Sequence, residues 1–215
     1  MIRLLFALLV ALAPALAAAA PLEADLGEGL HYWRAHEIPA ELPGPAFASG
    51  KPCILDIRFA HASGGAGPVL LAWLRLHAAP RAPVFLLANA QTDPELLAPL
   101  DSPDAVNGLV ILGPAAPRFS PDIALGITRA EDRRAYNAAE KGASLESLIV
   151  EKVEKERFDE ERLAKEHLSD SAVGEAEDAA KPEAGTAPKP PPQLIDSVLQ
   201  RAVQLHRSLL ALRRL

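Results

Sequence analysis

The sequence predicts an α/β domain with a mostly parallel sheet and crossover helices, followed by C-terminal helices. Three observations predict it. CILDIRF, residues 53–59, alternates so that Leu55, Ile57 and Phe59 share one face while Ile54, Asp56 and Arg58 share the other, the period-two signature of a strand. APVFLLAN, 82–89, and LVILG, 109–113, are short continuous apolar runs suited to strands covered on both faces. Between the first two lies PVLLAWLRLHA, 68–78, with Pro68 placed for a first helical turn, and a strand, helix and strand of these lengths form a right-handed crossover with the strands parallel.

The remaining elements follow in chain order. Residues 1–20 hold a single arginine, Arg3, then an apolar run and small residues that permit cleavage around Ala17 to Ala20, the pattern of a secretory signal peptide. The expected location is therefore periplasmic or extracellular, and no cysteine follows the cleavage region to accept a lipid. HYWRAHEIP, 31–39, reads as a short strand and turn, and the Pro and Gly of 39–52 exclude regular structure there. A helix is expected over 93–100, a turn at Asn107-Gly108, and an edge strand in PDIALGI, 121–127.

Beyond Thr128, residues 129–142 and 144–168 read as two helices, the second with Glu151 and Lys155, and Glu161 and Lys165, at the supportive four-residue spacing. The α/β domain with its helical extension is thus assigned to 21–168. Residues 169–192, rich in Ala, Glu, Lys and Pro without apolar periodicity, are assigned as a disordered linker. Helical periodicity returns over 193–215, with Ile195, Val198, Leu199, Ala202, Leu205, Leu209 and Leu212 on one stripe. That stripe is expected to dock on its own domain or to drive self-association.

Composition narrows the function. The chain has 22 Lys and Arg against 28 Asp and Glu, interspersed rather than gathered into a basic stripe, so nucleic acid is not an expected partner. Cys53 is the single cysteine and cannot form an internal disulfide. The 6 histidines show no pair at metal-ligand spacing with a supporting carboxylate, and no metal or cofactor is expected. Arg201, Arg207, Arg213 and Arg214 on the last helix suit an anionic membrane surface, but membrane contact is not the expectation once the signal is cleaved. Trp33 and Trp73 are expected to fill the core.

Four pieces, in the same order, resemble the C-terminal processing peptidases, or tail-specific proteases. CILDIRF with Ser63-Gly64-Gly65 resembles that family's Leu-Asp-Leu-Arg strand and Gly-Gly loop. VFLLAN with TDPELLAPL resembles its nucleophile region. Ser120-Pro121-Asp122-Ile123 resembles its Pro-Asp strand, and DSVLQRAVQL after an acidic spacer resembles its C-terminal ending. The resemblance implies a crotonase-like core and serine and lysine catalysis. The chain departs from that implication: Asn89, Thr92, Glu95 and Leu96 match the nucleophile turn only with two residues missing, and Asp93 and Pro94 stand where the serine belongs. No lysine lies between Lys51 and Lys141 to serve as base. A carboxylate or proline forms no acyl intermediate of the kind this hydrolysis needs.

The expectation is therefore a pseudoenzyme: an exported, non-catalytic, protease-like binding or scaffolding protein of the cell envelope, whose partner is an envelope protein or an extended peptide C-terminus. The turn at 92–95 is expected to cap its helix, through a Thr92 and Glu95 capping box or through Asp93. The alternative is a serine hydrolase that uses Ser63 and His61, near the end of the 53–59 strand where α/β ligand sites often lie, or one completed by a partner.

Overall fold

The computed structural model describes residues 21–101, 106–150 and 193–215. The expected signal peptide (1–20), the expected linker (169–192) and most of the second expected charged helix lie outside the described residues. The chain divides into two compact units, Met1–Val110 and Ile111–Leu215. Both have a generic mixed α/β character.

In the first unit the strands are β1 (Leu22–Asp25), β2 (His31–Arg34), β3 (Glu37–Ile38), β4 (Cys53–Asp56), β5 (His61–Ala62) and β6 (Val84–Leu87). β1 pairs antiparallel with β2, while β2 with β4 and β4 with β6 are parallel, giving the order β1-β2-β4-β6. β3 and β5 form a separate parallel pair, Glu37 opposite His61. Every residue of β4 and β6 is buried, so both faces of β4 are covered, including the face that carries Asp56, where the alternation in 53–59 suggested only one.

β4 ends earlier than the 53–59 run suggests. Ile57 still donates its N–H to the Leu87 carbonyl at 2.9 Å, but Ala60 then turns back onto Ile57 and Phe59 takes a positive φ of 64°. The Arg58 N–H donates to the Asp56 carboxylate at 3.1 Å and shapes this turn.

Helix α1 (Ala66–His77) connects β4 and β5 to β6 and buries Leu70, Trp73, Leu74 and His77 along one side. Each buried leucine of this kind stabilises the fold by about 1.5–3 kcal/mol. The expected 93–100 helix is instead α2 (Pro94–Leu97) followed by a 3-10 turn, Ala98–Leu100. Pro99 has no N–H to offer the Glu95 carbonyl, so the α-helical ladder stops. That carbonyl instead lies against Gly67 of α1, where any Cβ would collide with it.

Residues 21–30 show no extended periodicity, yet β1 lies there. The Gly27 and Gly29 of its connection to β2 both have positive φ, at 80° and 77°. Trp73 is nearly buried, stacked on His77 at 4.0 Å with its indole N–H on the Pro43 carbonyl. Trp33 does not fill the core as expected. It is half-buried, donating to the Glu41 carbonyl at 2.8 Å and meeting Phe47 edge-on.

Strand β7 (Leu109–Pro114) runs from the first unit into the second and pairs parallel with β8 (Ile123–Leu125). The Asp122 carboxylate, from the Pro-Asp segment, accepts the Ile111 N–H at 2.8 Å. Helix α3 (Arg129–Glu140) begins with a full Thr128 and Glu131 capping box. The segment expected to start a helix at 144 forms only a 3-10 turn, Leu145–Leu148, and Ile149 is extended.

Helix α4 (Ser197–Ala211) is capped by Asp196, which accepts the Leu199 N–H at 3.0 Å. Val198, Leu199 and Ala202 of the apolar stripe are buried, with Val203 beside them, while Ile195 and Leu212 at its two ends are exposed. The Gln200 amide clamps Val150 from both sides, accepting its N–H at 2.6 Å and donating to its carbonyl at 3.1 Å. Asp196 N–H to the Leu148 carbonyl completes this docking.

Candidate functional site

The C-terminal ends of β2, β4 and β6 converge on two polar clusters. The first is Tyr32, Arg34, Asp56 and Arg58, all fully buried. Tyr32 and Arg34 come from β2, with Arg34 directly opposite Asp56 in the parallel register, and Arg58 follows in the turn after β4. Asp56 accepts from the Tyr32 hydroxyl at 2.7 Å and from Arg58 Nε and Nη2 at 3.0 and 2.8 Å. Arg34 Nε reaches the Tyr32 oxygen at 2.8 Å and the Asp56 carboxylate at 3.3 Å.

Burial alone would raise the Asp56 pKa, but the positive charges of Arg58 and Arg34 and the hydrogen bonds from Arg58 and Tyr32 outweigh it and hold the carboxyl down at about 2. The Tyr32 phenol moves the other way, raised by burial and by the adjacent Asp56 charge. Asp56 is thus an ionised carboxylate with its oxygens committed, unsuited to accept a proton near neutrality. By alternation alone, Asp56 and Arg58 mark only one face of a strand. The signal for the cluster is that two arginines and one aspartate interrupt otherwise apolar strand runs, and buried charges must pair.

The second cluster is the turn between β6 and α2. Asn89 caps the turn with its side-chain oxygen, accepting the N–H groups of Gln91 and Thr92 at 2.9 and 3.1 Å. The Thr92 hydroxyl accepts the Asn89 N–H and donates to the Ile57 carbonyl, both at 3.1 Å. Thr92 therefore does not form the expected capping box with Glu95. Asp93 is the N-cap: one carboxylate oxygen accepts the Glu95 N–H at 2.9 Å, and the other accepts the Ala62 N–H at 3.2 Å. The Asp93 N–H in turn bonds the Ala60 carbonyl at 3.0 Å. Asp93 so ties the α2 start to the 60–62 loop, with Pro94 in the first helical position.

Ser63 and His61 sit on that same loop. The Ser63 hydroxyl donates to the Ile38 carbonyl at 3.2 Å, and its N–H bonds the same carbonyl at 2.9 Å. His61 is exposed in β5, its backbone paired with His36, and no hydrogen bond joins its ring to Ser63. The two are neighbours in sequence but not a nucleophile and base in hydrogen-bond contact. Cys53 is fully buried, and burial pushes its thiol up to about 12, away from thiolate chemistry.

Among the described residues, no three His, Cys, Asp or Glu side chains are gathered to hold a metal ion. In the second unit a cavity of about 390 Å³ is lined by Ile127, Glu131, Arg134, Gln193, Leu194, Ile195 and Ser197. Hydrogen bonds from Thr128 hold its Glu131 carboxyl below the usual range. Comparison with protein-family models, curated proteins and solved structures finds no match to this chain.

Proposed function

We propose that this chain is a non-catalytic, exported, protease-like binding or scaffolding module of the cell envelope, built on a crotonase-like core. The observation that carries the reading is the turn at 89–95. Where the resemblance to tail-specific proteases would place a nucleophile, Asp93 uses both carboxylate oxygens to hold the chain's own amides, and Thr92 spends its hydroxyl on Asn89 and Ile57. These groups stabilise a turn and are not poised toward a substrate.

The ligand is an extended peptide segment of an envelope protein, added to the outer edge of β1, which pairs with no other strand among the described residues. Leu26 donates to Leu30 across the connection, so in the alternating antiparallel ladder Ala24 and Leu22 bond inward to β2. The main-chain groups of Glu23 and Asp25 face outward, and both side chains are exposed. Their carboxylates favour a segment with basic residues.

Fluorescence anisotropy with labelled unstructured peptides, basic or acidic and with free or amidated C-termini, tests this reading. Glu23→Pro removes one outward N–H without touching the inner ladder and should abolish basic-peptide binding with little loss of stability. Unchanged binding by this variant would remove β1 as the site. The second reading, a hydrolase using Ser63 and His61, predicts fluorophosphonate labelling that disappears in Ser63→Ala. The Ser63 hydroxyl bond to the Ile38 carbonyl opposes it.

A further inference from the structure

We propose that the C-terminal end of α4, through Leu210, Leu212, Arg213 and Arg214, is a contact for an anionic lipid surface. From Ser197 to Leu215 the chain carries four arginines and no Asp or Glu, within a protein of net charge −6. Arg201, Arg213 and Arg214 are exposed and make no ion pair among the described residues. Leu210 and Leu212 beside them are 38% and 68% exposed, although the middle of the helix is buried.

The helix terminus supplies an independent observation. Arg213 donates its N–H to the Leu210 carbonyl and Arg214 to Leu209, both at 2.9 Å, which is the Schellman pattern of helix termination. The residue in the left-handed position of that motif is Arg213, with φ of 53°, where glycine fits without a Cβ penalty. A cation near a helix C-terminus complements the dipole, but Arg214 or Arg207 supplies that without occupying the strained position. The arginine at 213 therefore opposes local stability, and a surface contact accounts for it.

Lipid is favoured over an acidic protein because the exposed Leu210 and Leu212 directly adjoin the exposed Arg213 and Arg214 at the helix terminus. An interface lets leucines enter the acyl boundary while long guanidinium side chains reach the phosphates, and it requires no matching groove. No described helix is long and apolar enough to cross a membrane, so the contact is superficial. It does not depend on the peptide-binding reading, and it departs from the sequence expectation that membrane contact ends with signal cleavage.

Vesicle co-sedimentation of the chain from Pro21 onward, which lacks the apolar leader, tests the proposal. Vesicles of phosphatidylglycerol with phosphatidylcholine should bind more tightly than phosphatidylcholine alone, and salt should weaken the difference. Each arginine is worth about fivefold in partition, so Arg213→Gln with Arg214→Gln should lose on the order of twentyfold. Arg213→Gly is the discriminating variant: it should raise the thermal midpoint yet weaken vesicle binding about fivefold. A purely structural Arg213 would show the first change without the second. Equal binding to both vesicle types, wild-type binding by the arginine variants, or binding to polyglutamate but to no vesicle would overturn the proposal, the last pointing to an acidic protein.

Discussion

Two aspartates at the ends of neighbouring parts of the first unit do similar geometric work in different surroundings. Asp56, after β4, is fully buried and holds Tyr32, Arg34 and Arg58 together. Asp93, after β6, is half-buried and holds only backbone amides, those of Glu95 and Ala62. The difference teaches that the number of bonds a carboxylate accepts says less about its worth than its exposure does. Water competes for Asp93 in the unfolded and folded states alike, whereas in the folded state only protein groups can stabilise the charge of Asp56.

The comparison breaks most decisively at Asp56. Asp56→Asn removes the carboxylate shared by buried guanidinium groups and should cost about 3–5 kcal/mol in chemical denaturation, enough to threaten folding of an ordinary domain. A loss under about 1 kcal/mol would mean that the cluster is held from elsewhere and that the contrast with Asp93 fails.

Acid sharpens the same point without mutation. The folded Asp56 pKa, at about 2, is depressed, so its stabilising contribution is fully present above the unfolded value near 4 and is lost as pH falls through the folded value. Stability followed by urea denaturation between pH 5 and pH 2 should decline by about 2 kcal/mol from this group. A flat profile over that interval would place Asp56 outside the acid response.

The smallest effect belongs to Asp93. Asp93→Ala removes the α2 cap and the bond to Ala62, with an expected loss of about 1–2 kcal/mol. Asp93→Ser should recover part of it, since a hydroxyl caps the helix but is too short to bridge the second amide. Full recovery by serine would show that the Ala62 bond contributes nothing.

Several elements were legible because their signal is local. The runs at 84–87 and 109–113 are apolar throughout, α1 repeats its buried residues at helical spacing, and the change of character beyond Thr128 marks the start of α3. The C-terminal helix carries its stripe over fifteen residues, Ser197–Ala211. What escaped was non-local. The four-residue β1 has too short a pattern to stand out, and β3 and β5 are two residues each, strands only because they pair with one another.

The candidate site divides in the same way. That 92–95 holds Asp93 and Pro94 and no serine or cysteine is readable from residue identities alone. Which residue would cap α2 was not, because Thr92 is claimed by the Ile57 carbonyl, 35 positions earlier in the chain. Likewise, no property of Arg34 or Arg58 in isolation says that both will share Asp56 in the dark interior of the unit.

By itself the sequence determined the periodicities that make strands and helices, the residue identities of the 92–95 turn, and the concentration of arginine between 201 and 214. Those properties belong to short stretches and survive without a fold. The tertiary structure decided which polar groups lose water and which partners replace it, hence the lowered Asp56 pKa, the choice of Asp93 as cap, and the exposure of Leu210 and Leu212 beside their arginines. Desolvation and pairing are set by neighbours distant in sequence, and only the folded chain brings those neighbours together.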